Sequence, residues 1–189
     1  MTREDAYKIL TELVKNKNLI KHHLACEAAM KYLYERLSAT QTLEEEANWG
    51  LVGLLHDADY ELCKGHPEKH TLILEEKIGK LLDPKIIYAI KSHNFAYNGV
   101  RPQTLLDWSL YCCDELTGLI IAVALIHPEK KLAPLTVEFI MGKFNSASFA
   151  KGANRDQIRA CEKELGLPLA EFIGIVLNAM QKISGNLEL

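Results

Sequence analysis

A chain of 189 residues is long enough to bury one sizeable core, so a single domain over residues 1–189 is expected, with 128–189 as a C-terminal helical extension of it. Hydrophobic residues make up 48% and charged residues 25%, with a net charge of −3, which excludes a disordered chain. Lysines and arginines are scattered with no basic block, and five cysteines form no CxxC pair, so neither a nucleic-acid groove nor a secreted disulfide framework is expected.

Thr2 with Asp5 reads as a capping box, followed by Ala6, Ile9, Leu10, Leu13 and Val14 on one helical face. The opening MTREDAYKIL is acidic where a signal peptide would be basic and then apolar, and no apolar run is expected to approach the ~20 residues of a membrane span. Together with the reduced cysteines, this places the protein in the cytoplasm as an expectation. A second helix is predicted over residues 19–37, and Thr42 with Glu45 opens a third that ends at His56 and Asp57. Pro67 suits the first turn of a helix over 67–81, and Pro84 that of one reaching His93. After the loop NGVRP, residues 103–126 read as one strongly apolar helix with a possible break at Gly118. A short helix around 134–144, the polar stretch KFNSASFAKGANR and helices around 155–165 and 168–184 close the chain, as a lid or an oligomer contact. Strand-like alternation is nearly absent, so the fold is predicted to be all-α, a bundle of eight or nine helices.

The stretch LVGLLHDADYELCKGHPEKH runs an apolar helix straight into ionisable groups, whose burial without partners would cost about 2 to 7 kcal/mol for even a neutral polar group. His22, His56 with Asp57, His66 or His70, His93 and Asp114 lie on different predicted helices, and facing helices of a bundle can bring such side chains together around a metal. A carboxylate has two oxygens, so Asp57 can touch two ions while each histidine serves one. His22, His56, Asp57 and Asp114 suffice for one metal, and two more histidines are what a second requires. This donor mixture suits iron, manganese or another first-row divalent ion. His22 and its neighbour His23 cannot share a helical face; His22 stacks with Cys26, Ala29 and Leu33 toward a core, leaving His23 to solvent. His66 and His70 are four apart and can face the same way on one helix.

With NLIKHHLACEAAM, GLLHDADYE, PEKH, IKSHN and YCCDELTGL in this order, the chain resembles the HD-domain metal-dependent phosphohydrolases over about residues 5–125. Its KFNSASFAKGANR segment is similar to that of small bacterial HD-domain proteins. The resemblance implies an all-α HD-domain bundle with His22, His56, Asp57 and Asp114 at a first metal, His70 and His93 completing a second, and Asp57 bridging. It implies hydrolysis of a small phosphorylated, nucleotide-like substrate by a metal-activated water, with no nucleic-acid polymer or membrane as partner. The GYP segment of cyclic dinucleotide phosphodiesterases is absent from the sequence. Two alternatives belong to the same resemblance: a diiron oxygenase, and a catalytically silent module that binds a nucleotide or metabolite.

Around the HD pair, Asp59 and Glu61 are candidates for proton donation to the leaving group or for support of the ligands, Glu61 being the better donor. Asn94 can hydrogen-bond a ligand or substrate. A phosphate pocket needs cations beyond the metals, and Lys143, Lys151 and Arg155 are the candidates, Arg155 beside the free N–H groups of a helix start. The amphipathic faces of the last two helices read as packing surfaces, with a homodimer contact as their other use.

Overall fold

The fold is that of a computed structural model that describes residues 1–146 and 148–189. Among the described residues there are eleven α-helices and no strand, nine of the helices having seven or more residues, which agrees with the all-α prediction. In chain order they are α1 (Arg3–Leu13), α2 (Lys17–Leu37), α3 (Leu43–Leu55), α4 (Leu72–Ile78), α5 (Pro84–His93) and α6 (Phe95–Asn98). The remainder are α7 (Leu105–Ile126), α8 (Val137–Phe144), α9 (Arg155–Glu164), α10 (Leu169–Lys182) and α11 (Ser184–Leu187).

Local chemistry accounts for most boundaries. Thr2 and Asp5 form the predicted capping box at α1, and Thr104 with Asp107 forms another at α7. Thr42 caps α3 through the Glu45 N–H, while the Glu45 carboxylate pairs with Lys85 of α5. Pro84 occupies the first turn of α5, where its missing N–H is not needed.

Buried hydrophobic residues from Ala6 to Leu187 form one cluster. Helix α2 packs on α3, α7 and α10, and α7 packs on α2, α5 and α9. The closest approach is at Gly53 of α3, where an added Cβ would lie 2.5 Å from the backbone oxygen of Cys26 in α2. All five cysteines are free and buried.

Three expectations are corrected. The predicted helix over 67–81 is broken into a 3-10 turn (Pro67–Lys69), α4 and a second 3-10 turn (Gly79–Leu81), because Thr71 adopts a left-handed conformation at φ 73°. Helix α7 runs unbroken through Gly118. It is also, by its 22 residues and their composition, long and apolar enough to cross a membrane, contrary to the expectation that no segment approaches that length. Leu110, Leu116, Leu119, Ile120 and Val123 along it are buried in the common core, while Leu105, Leu125 and Ile126 near its ends are exposed.

Candidate metal centre

Four helices and one turn deliver the candidate ligands to a single cleft. His22 comes from the first turns of α2, His56 and Asp57 from the end of α3, His93 from the last residue of α5 and Asp114 from the middle of α7. His70 comes from the break before α4. The Gly53 contact explains part of this convergence: His22 lies one turn before Cys26 and His56 just beyond Gly53, so the crossing of α2 and α3 sets the two imidazoles side by side, their centroids 5.1 Å apart.

The ligand atoms fall into two groups around Asp57. In the first, His22 Nε2 lies 3.2 Å from His56 Nε2 and 3.0 Å from Asp114 Oδ1, with His56 Nε2 3.5 Å from the same oxygen. In the second, His70 Nε2 lies 3.1 Å from His93 Nε2, and Asp57 Oδ1 lies 3.0 and 3.3 Å from the two nitrogens. Asp57 also faces the first group, with Oδ1 3.7 Å from His56 Nε2 and Oδ2 4.0 Å from His22 Nε2. Ligands about 2.1 Å from a first-row ion stand about 3.0 Å apart at octahedral and 3.4 Å apart at tetrahedral corners, so the separations within each group match coordination edges, while Asp57 stands wider from the first group.

The far sides of the four rings settle their tautomers. His56 Nδ1 faces the Gly53 carbonyl at 2.9 Å and His93 Nδ1 faces the Ile90 carbonyl, and a carbonyl only accepts, so both Nδ1 atoms donate. His70 Nδ1 donates to Asp59 Oδ1 at 2.7 Å. The Thr117 hydroxyl donates to the Asp114 carbonyl and accepts from His22 Nδ1 at 3.1 Å. Every ring therefore turns an Nε2 lone pair inward, and lone pairs 3.1 to 3.2 Å apart repel unless a cation separates them. A metal ion is such a cation, and each Nδ1 contact is the support that orients a metal-binding histidine.

The charges point the same way. Burial opposes protonation of His56, but Asp57 and Asp114 outweigh it and raise the imidazole to about 10. Burial is likewise outweighed at His70, which Asp57 and Asp59 raise to about 10. Against their own burial, Asp57 is held well below the usual carboxylate range by His56, His70 and His93, and Asp114 by His22 and His56. Carboxylates thus hold cationic charge among the rings, as a proton or as a metal in its place. Cys26 Sγ also lies within 4.8 Å of the first group's ligand atoms, but it sits about equally far from both nitrogens of His22, 3.9 and 4.0 Å, against the face of the ring.

The other predicted residues are placed differently. Asp59 is buried and takes three hydrogen bonds, from His70 Nδ1, Thr71 N and Leu74 N, so it orients a ligand and caps α4 at once. Glu61 is turned away from the cluster to accept the backbone N–H groups of Lys15 and Asn16 between α1 and α2. Arg155 does not face the cleft: its guanidinium donates to the carbonyls of Phe144, Phe149, Ala150 and Ala153, four acceptors that hold it against its own loop. Lys143 lies over the Phe139 ring, 5.4 Å from its centroid, and Lys151 is exposed outside the cavity lining. Asn94 lines the cavity, but its amide N–H groups donate to the carbonyls of Pro67 and His70. His66 is exposed and pairs with Glu68. The segment 143–155 includes residue 147, which lies outside the described residues.

His23 is a further correction. It is fully buried rather than solvated, its ring centroid 5.1 Å from that of His56, and neither nitrogen has a hydrogen-bond partner among the described residues. Helix α2 is covered by α3, α7 and α10, so rotating away from the cleft does not lead to solvent. Burial, reinforced by His56, holds the ring well below its ordinary pKa and keeps it neutral.

The ligands open onto a cavity of about 830 Å³. Its walls include Tyr60, Tyr97, Tyr111, Glu115 and Gln157, which sequence reasoning did not single out for this role. Burial and the neighbouring Asp114 raise the Glu115 carboxyl, which accepts the Asn154 N–H at 3.1 Å. The only local signal for Thr117 and Glu115 was their position within one turn of Asp114 on α7. Comparisons of the chain with protein-family models, curated proteins and solved structures find no match in any of the three. On its own geometry this is an all-helical protein with buried histidine and aspartate clusters that can hold metal ions.

Proposed function

We propose that the chain is a metal-dependent phosphohydrolase of the HD-domain type, acting as one domain on a small phosphorylated, nucleotide-like substrate. The observation that supports this most directly is the convergence of four Nε2 lone pairs on two carboxylates, with every Nδ1 tied back. His22, His56, Asp114 and Asp57 would hold one ion, and His70, His93 and Asp57 a second. When bound, such ions supply a water acidified to near neutral pH and positive charge for the phosphoryl oxygens.

The chain's own residues supply the rest. Asp57 keeps the two ligand groups at a fixed spacing, and Asp59 and Thr117 hold their histidines in the tautomer that leaves Nε2 free. In the hydrolysis, a water oxygen forms the new P–O bond, the ester P–O bond breaks, and the leaving oxygen takes up a proton. Asp59 and Glu61 are both engaged as acceptors, so that proton is assigned to solvent in the open cavity and not to either acid.

Elemental analysis of the purified protein, paired with phosphate-release assays under argon and in air, tests this proposal. The expected result is about two equivalents of iron, manganese or another first-row ion per chain, and phosphate release that does not require dioxygen. Asp57→Ala should lose both the metal and the activity. Dioxygen-dependent turnover would favour the oxygenase alternative, and a protein that takes up no metal on reconstitution would overturn the proposal.

A further inference from the structure

The cavity beside the candidate ligands is not the whole cleft. A second cavity of about 570 Å³ shares the walls Leu19, Tyr60, His70, Asn94 and Tyr97 with the first. Tyr60 and Tyr97 stand at this junction with 54% and 61% of their surface exposed, large for aromatic side chains that line a cleft. Neither their hydroxyls nor that of Tyr111 makes a hydrogen bond among the described residues. Beyond the junction, Leu19 and Pro67 add apolar surface.

The cleft is also poor in cations. Among the described residues no lysine or arginine lines the cavity beside Asp57, and Lys64, in the second, is the one lysine or arginine lining either. Of the basic residues around the cleft, Arg155 is held by its loop carbonyls and Lys21 pairs with Glu188, while Lys151, between the lining residues Ala150 and Gly152, is exposed and does not itself line the cavity. Two divalent ions facing Asp57, Asp114 and Glu115 would leave a net charge of about +1, which one phosphate monoester of charge about −2 already exceeds. Each further phosphoryl group of a polyphosphate adds about another negative charge, and the cavity beside Asp57 offers it no lysine or arginine.

Resting on the phosphohydrolase reading, we propose that the substrate is a monophosphate ester of an alcohol bearing a flat aromatic group. Its phosphate sits on the Asp57 side, and its aromatic part stacks on Tyr60 and Tyr97 and reaches toward the second cavity. The two tyrosines are then specificity-determining residues, and di- and triphosphates of the same alcohol are poor substrates.

The test measures kcat and KM of the manganese-loaded protein for adenosine 5′-monophosphate, adenosine 5′-triphosphate and glycerol 3-phosphate. It compares wild type with Tyr60→Ala, Tyr97→Ala and the two Tyr→Phe variants, after circular dichroism confirms that each folds. Wild type should favour the monophosphate over the triphosphate by at least tenfold in kcat/KM. Each alanine variant should raise KM for the nucleotide about tenfold, reducing its preference over glycerol 3-phosphate, and phenylalanine should restore most of it. Equal turnover of mono- and triphosphate, or an aromatic preference unmoved by both alanine variants, would overturn the proposal. If wild type hydrolyses none of the three, the phosphohydrolase reading is what fails, and calorimetry with adenosine 5′-monophosphate then decides the stacking separately. Binding weakened about tenfold by either alanine variant sustains it, and equal affinities overturn it.

Discussion

Asp59 shows how much one carboxylate can settle. Its Oδ1 accepts from His70 and from the Thr71 backbone, and its Oδ2 accepts from Leu74 at 2.9 Å, so one side chain both orients a ligand and starts α4. It also offsets the left-handed backbone of Thr71, a conformation that costs a β-branched residue about 1 to 3 kcal/mol. Asp59→Asn keeps an acceptor but weakens the draw on the His70 proton, so the second metal should bind about 10- to 100-fold more weakly while the first is retained. Titration of metal into stripped protein would show one strong site instead of two; two unchanged sites would remove Asp59 from the metal centre. The ligand candidates were legible because ionisable residues recur in one order on successive predicted helices. The supporting groups were not. Asp59 depends on a backbone break eleven residues on, and Arg155 and Lys143 carry charge without any local sign of which way it points. His23 was misplaced because adjacency to His22 excludes the cleft but does not specify what covers the opposite face.

At the scale of elements, the α2–α3 crossing is the structural basis of the first metal group. A Cβ at Gly53 would meet Cys26 O, Cys26 C and Glu27 N at 2.5, 2.6 and 2.8 Å, all backbone atoms that no rotamer change can move aside. Gly53→Ala must therefore separate the helices, and the Gly53 carbonyl that holds His56 Nδ1 moves with them. The expected loss of stability is about 1 to 3 kcal/mol, together with weakened metal binding. Chemical denaturation and a metal titration of the same variant measure the two effects, and a variant with wild-type values for both would show that the helices do not meet so closely. Glycine in an apolar helix is visible in the sequence, but its neighbour 27 positions away is not. Helix starts were legible where the chemistry is local, at Thr2, Thr42 and Pro84. The break in the helix predicted over 67–81 was not, because Thr71 is held by Asp59 from another segment. Gly118, exposed on α7, lowers helix propensity by about 1 kcal/mol without ending a ladder supported by core residues on either side.

For the molecule as a whole, the cluster links stability to both metal and pH. In chelator-stripped protein His56 and His70 titrate at about 10 against an ordinary 6.5. Raised values favour the folded state fully below pH 6.5, and that contribution fades as pH climbs from 6.5 toward 10. Asp57 and Asp114 act in the opposite sense: held below 3.8, they stabilise the fold above that pH and cease to do so as pH falls through their lower folded values. Buried neutral His23 withdraws stability as pH falls below 6.5, so stripped protein should be most stable near pH 6.5, with Tm declining on the alkaline side. A metal ion takes the place of the ring protons, so loading should release protons and flatten that alkaline decline. At a free metal concentration 100 times Kd, binding contributes about 2.7 kcal/mol, or roughly 5 to 10 °C in Tm for a chain of this size. Calorimetric melts of stripped and loaded protein from pH 5 to 10 should thus run closest at the acid end and diverge above pH 6.5. Parallel curves over that range would mean that the added ions bind somewhere other than between His22, His56, His70 and His93.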